Sequence, residues 1–188
     1  MDSDSGGPRV NKRLTHRIVA NTKCDYATCN DICRSFAENV TQFYLLSFLL
    51  TASSDKAEQC FAGGLDDCVN GVAVFQGWVD GWARRVIVRR AIRMIQPQPG
   101  DAAPRRWAVR SEDEESVSRC GLQEAQFAGV LALKDFERFA FVLSVLEGYP
   151  DGSCAALLGT SRQKVGEARL RALQHLAGIC SSQVACLS

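Results

Sequence analysis

From Asp151 to Leu176 the chain reads "DGSCAALLGTSRQKVGEARLRALQHL", two helical stretches parted by one glycine, Gly159. A short turn built around glycine makes two helices cross steeply and at close range. Ala155, four residues before the glycine, is small enough for such a crossing. Cys154 and Leu158 before the turn, and Val165 and Ala168 after it, are spaced to face one another. Ser161 stands where it can cap the second helix by accepting a hydrogen bond from a backbone N–H of the first turn. That helix opens with Arg162, Gln163 and Lys164, and Arg169 and Arg171 follow. In a DNA-reading elbow the first residues of the second helix meet base edges in the major groove. Arginine suits guanine, glutamine suits adenine, and lysine suits guanine or a phosphate. Ser161, Arg162, Gln163, Lys164, Arg169 and Arg171 are therefore the candidate DNA contacts of this stretch. The same pattern also fits a plain helical hairpin with a charged outer face.

The rest of the chain sets this elbow in an all-α frame. Helical periodicity dominates, and strand-like alternation is sparse. Residues 1–29 read as an N-terminal extension, polar and disordered over its first part. A first helical block covers residues 30–95. Residues 96–120 hold three prolines and the acidic run Glu112 to Glu115, a linker composition in which Trp107 is free to dock on a neighbour. A second helical block covers residues 121–180, and residues 181–188 form a tail. The expected architecture is two small helical domains joined by a polar linker, the C-terminal one a helix-turn-helix.

Net charge is only +1, so any nucleic-acid surface has to come from local patches. One such patch is "RRVIVRRAIRM", residues 84–94, with five arginines and no acid. A helix turns 100° per residue, so these arginines cannot share one role. Arg85 and Arg89 lie on one side and are the candidate phosphate contacts, while Val86, Ile87, Ile92 and Ile95 are expected to be buried. Residues 36–83 are acidic, with six acids against Lys56 alone. Trp78 and Trp82, four apart, share a helix face, either as buried core or as a stacking surface for bases.

Several function classes are disfavoured. The longest apolar run, Phe43 to Leu50, is less than half the roughly 20 residues of a membrane span. The N-terminus lacks the apolar core of a signal peptide, so a cytoplasmic protein with no membrane partner is expected. Nine cysteines, an odd number without an export signal, argue against a disulfide framework. Cys60, Cys68, Cys154 and Cys180 sit in apolar helical patterns. Cys24, Cys29 and Cys33, with His16 upstream, have a spacing outside the common zinc patterns. No metal and no other cofactor is expected. There is no glycine-rich phosphate loop and no Ser/His/Asp set, and the only histidines are His16 and His175, so an enzyme is not expected.

The longer stretch "DFERFAFVLSVLEGYPDGSCAALLGTSRQKVGEARLRALQHL", Asp135 to Leu176, resembles the C-terminal domain of bacterial RNA polymerase sigma factors of the extracytoplasmic-function group. The shared features are the apolar phrase ending at Glu147-Gly148, Asp151, the glycine elbow, and a basic helix with the Arg171-Ala172 pair. "FYLLSFLLTASSDKAEQCF", Phe43 to Phe61, is similar to the same family's apolar helix and the D-x-A-E start of its next helix. "WVDGWARRVIVRRAIRMI", Trp78 to Ile95, is similar to its tryptophan-bearing, arginine-rich last helix. The resemblance implies a transcription-initiation subunit without enzymatic activity, with core RNA polymerase and promoter DNA as partners and an anti-sigma factor as a further one. It places polymerase docking at Asp55 and Glu58, and upstream promoter reading on the C-terminal elbow.

Two other readings fit the residues. One is a DNA-binding transcriptional regulator on a sigma framework that no longer binds core polymerase. The other is a helical protein-interaction module. The chain departs from the family after Glu58, where Gln59-Cys60 and then Gly63-Gly64 follow. Two glycines inside a helix cost about 1 kcal/mol each against alanine, so this helix is expected to be weakened or broken.

Overall fold

The computed structural model describes residues 26–71, 73–100 and 127–185, with side chains through Ile179. The extension up to residue 25 with His16 and Cys24, the linker residues from 101 with Trp107 and Glu112 to Glu115, and the last three residues lie outside the described residues. What is described is all-α, apart from an isolated antiparallel bridge between Tyr26 and Phe75.

Helix α1 (Cys29–Glu38) begins at a capping box. The Thr28 hydroxyl accepts from the Asp31 N–H at 3.3 Å, and the Asp31 carboxylate accepts from the Thr28 N–H at 2.9 Å. That backbone donor, above all, holds the Asp31 carboxyl below its usual range. Helix α2 (Val40–Thr51) contains the apolar run and is apolar nearly all round. Such a helix has to sit inside; Phe43, Leu46, Leu49 and Leu50 are buried, and α2 packs against α3 and α4. Its buried hydroxyls are satisfied within the helix: Ser47 donates to the Phe43 carbonyl and Thr51 to the Ser47 carbonyl, both at 2.9 Å. Helix α3 (Ser54–Val69) is capped by Ser53. A 3-10 turn (Gln76–Trp78) leads into α4 (Val79–Ile95).

The glycine pair does not break α3. The helix runs without interruption through Gly63 and Gly64, and both are buried against α4. A Cβ on Gly63 would lie 2.0 Å from the Arg90 guanidinium carbon, and one on Gly64 would lie 2.9 Å from Ile87 Cγ1. The glycines thus let α4 come close, and Arg90 Nη1 donates to the Gly63 carbonyl at 3.0 Å. With Ala57, Cys60 and Cys68 they form a stripe of small buried side chains along α3. The expected gain in helix propensity from alanine is therefore outweighed. Gly63→Ala with Gly64→Ala should lower stability by about 1–3 kcal/mol through overpacking, measured by urea denaturation. A gain in stability would mean that the α3–α4 contact is looser than described.

The buried face of α4 also differs from the one expected. Val79, Ala83, Ile87, Val88 and Ala91 are buried, whereas Val86, Ile92 and Ile95 are only half-buried. Alanines and Val88 suit this close packing better than the larger side chains do.

The second half comprises α5 (residues 127–131), α6 (Asp135–Phe141), a π-helical turn (Val142–Leu146), α7 (Asp151–Leu157) and α8 (Arg162–Ala185). Helix α8 packs along α6 and α7. In the π turn the Glu147 N–H donates to the Val142 carbonyl, five residues back, at 2.9 Å. The two halves meet where α6 touches α2. Arg138 of α6, only 1% exposed, donates through Nη2 and Nε to the Leu50 carbonyl at 3.3 and 3.4 Å. It also donates to the Leu133 carbonyl at 3.0 Å and pairs with Asp135 at 2.5 Å. One apolar core runs through both halves. No helix among the described residues is long and apolar enough to cross a membrane.

Candidate nucleic-acid interface

The elbow is closed by hydrogen bonds on both sides of Gly159. At the end of α7 the Leu158 N–H donates to the Cys154 carbonyl, and the Thr160 N–H reaches back to the Ala155 carbonyl, both at 2.9 Å. This six-to-one bond is the mark of a Schellman ending, which needs a left-handed residue just before its donor. Gly159 supplies it with φ of 62°. A Cβ there would meet nothing within 4 Å, so the backbone angle and not the space calls for glycine. On the far side Ser161 caps α8, its hydroxyl accepting from the Lys164 N–H at 3.3 Å. Cys154, Ala155, Leu158, Val165 and Ala168 are buried in the crossing.

The start of α8 therefore projects outward. Ser161, Arg162, Gln163 and Lys164 are all exposed. Arg162 lies over Gly152, where a Cβ would come within 3.0 Å of its guanidinium. Gln163 donates to Glu167 at 2.9 Å across one turn. Free N–H groups and the helix dipole add to the positive potential at this end. Farther along, exposed Leu170 and Leu173 make the outer surface apolar.

The remaining two candidates of α8 are occupied. Arg169 holds Asp151 at the start of α7 by two bonds, at 2.5 and 3.3 Å. Arg171 pairs with Glu137 of α6 at 2.8 Å. Both clip α8 to its neighbours, so the outward-facing set narrows to Ser161, Arg162, Gln163 and Lys164. Their acidic partners are 18 and 34 residues away in sequence, beyond the reach of any local pattern.

The arginines of α4 are divided among different partners. Arg90 and Arg93 pair with Asp67 at the end of α3, at 3.1 and 2.8 Å. Arg84 pairs with Glu147 of the second half at 2.9 Å. Arg85 and Arg89, the two candidates, are exposed. Burial raises the pKa of the Tyr149 phenol, and the positive charge of Arg85 nearby partly offsets it. Arg89 lines a cavity of about 560 Å³ with Asp67, Val86, Ile92, Arg93 and Leu157.

Beside them the two tryptophans take different places. Trp78 is 69% exposed, and Phe75 meets its ring edge-on at 5.7 Å. Trp82 is half-buried over Gly71, whose missing side chain leaves room for the indole. Both line a groove of about 480 Å³ with Val74, Gly77, Gly81 and Arg85. Gly81 lies inside α4, yet a Cβ there would meet nothing within 4 Å. Its cost to the helix leaves an open floor between two indoles and a cation.

On α3, Asp55 and Glu58 are exposed, three residues apart on one face. On α1, Cys29 and Cys33 are exposed, while Cys60, Cys68 and Cys154 are buried. Burial raises the pKa of all three buried thiols and pushes that of Cys68 up to about 12. They are therefore poor nucleophiles at neutral pH. The chain matches no known family model and no curated protein.

Proposed function

We propose that the protein is a sigma-like transcription initiation factor that directs core RNA polymerase to promoters. The observation that carries the reading is the elbow: a turn closed around Gly159, then a capped helix whose first residues, Arg162, Gln163 and Lys164, all point to solvent. In this reading the second half is a helix-turn-helix domain that reads the upstream promoter element. The basic side of α4, with Arg85 and Arg89, contacts phosphates of the downstream element. Trp78 and Trp82 offer their faces to bases as strands part. Asp55 and Glu58 form the acidic point that docks on polymerase.

Transcription with core polymerase on a promoter library tests the whole reading, and capture of core polymerase tests its weakest part. The protein should retain core polymerase, and Asp55→Lys with Glu58→Lys should reduce retention at least tenfold, the equivalent of about 1.4 kcal/mol. Absence of capture with duplex binding intact would make the protein a DNA-binding regulator on a sigma framework.

A further inference from the structure

We propose that Glu147 of the second half masks Arg84 on the basic side of α4, and that a polyanion gains this arginine only by displacing the carboxylate. The proposal rests on the DNA-binding reading above and concerns its control.

The second half meets α4 at two places. At the first, Arg84 Nη1 holds both oxygens of Glu147, at 2.9 and 3.2 Å. The Glu147 side chain is 13% exposed, so this carboxylate fills the place where a phosphate would sit. Arg84 is held further by Gln42 at 2.6 Å, and its guanidinium lies 5.7 Å from the centre of the Phe43 ring. Arg85, next to it, stays exposed. Two turns on, Leu157 at the end of α7 joins Val86, Arg89 and Ile92 around the seam cavity.

The charges in this mask do not balance. Arg84, Arg85 and Arg89 face one acid of the second half, Glu147, because Asp67 is already taken by Arg90 and Arg93. A strand with several phosphates can satisfy all three arginines, whereas the mask satisfies one with a full charge. A ligand that binds only the unmasked form shifts the population toward it by its differential affinity. Release involves Glu147, Tyr149 and Leu157; the Arg138 anchor on α2 stays in place.

The test uses the full chain and a labelled oligo-dT single strand, with affinity read by fluorescence anisotropy across a salt series. Glu147→Gln keeps the shape and removes the charge. It should bind about fivefold tighter, the worth of one good ion pair. Its slope of log K against log salt should be steeper by about 0.7, one more phosphate contact. Hydrogen exchange on the wild-type protein needs no variant: oligo-dT should speed exchange at residues 147–157. Equal affinity and slope, with no faster exchange there, would leave DNA binding standing and overturn the mask. Failure of every form to bind oligo-dT at low salt would remove the phosphate-binding role of α4 and the mask with it, whatever the elbow does with a duplex.

Discussion

Arg138→Leu is expected to destabilise the chain by about 3–5 kcal/mol, the range for breaking a buried charged network. The guanidinium is 1% exposed and satisfies the Leu50 and Leu133 carbonyls together with Asp135. Leucine fills part of the space but takes the guanidinium donor from the Leu50 and Leu133 carbonyls. Lysine should recover little, since a single ammonium cannot reproduce the planar fork that spans those acceptors. The loss also falls on the one buried polar link described between the halves. Urea unfolding should then show two separated transitions where the parent shows one. With Trp107 replaced by phenylalanine, tryptophan fluorescence reports the first half through Trp78 and Trp82, and far-UV circular dichroism reports both. A change below about 1 kcal/mol with coincident transitions would put Arg138 in the class of an ordinary surface contact.

Replacing Arg162, Gln163 and Lys164 together by alanine should weaken specific duplex binding on the order of 100-fold, because each well-made base contact is worth about 1–3 kcal/mol. The fold should be unaffected: all three side chains are exposed, and Ser161 still caps the helix. Arg169→Ala and Arg171→Ala should behave in the opposite way. They break the clips to Asp151 and Glu137, so each should cost up to about 1 kcal/mol of stability, with little change in sequence preference. Anisotropy titration against a selected duplex, beside thermal unfolding, separates the two classes. Unchanged duplex binding by the triple variant at moderate salt would reduce the elbow to a helical hairpin.

The elbow was legible because it is local. Glycine, a capping serine and small or apolar residues at helical spacing lie within fifteen residues of Cys154, and all of the spaced apolar ones are buried. The uses of charge were not legible, because they depend on partners brought together by the fold. Arg169 and Arg171 look like companions of Arg162, Gln163 and Lys164 until Asp151 and Glu137 come beside them. Arg138 sits in "DFERFAF" like any polar position of an amphipathic helix, and only the end of α2 lying against it makes it internal. The Gly63-Gly64 pair misled for a related reason. Propensity counts what a glycine costs its own helix, while the benefit belongs to the packing with α4. On α4 apolar residues occur on several sides, so periodicity could not choose between Val86 and Val88 for the core.

The π turn from Val142 to Leu146 carries one residue more than an α-helical turn over the same path. A helix advances 1.5 Å and rotates 100° with every residue. That single extra residue therefore sets the angular phase of all that comes after α6. It governs whether Glu147 faces Arg84 and the direction in which the elbow points relative to the first half. Loss of one codon in this stretch should make the turn plainly α-helical and move Glu147 from its place opposite Arg84, while α8 stays packed along α6 and α7. In a lineage of such chains, the tie between the two halves can be made or lost by this one-residue step, with no change in any residue of the elbow.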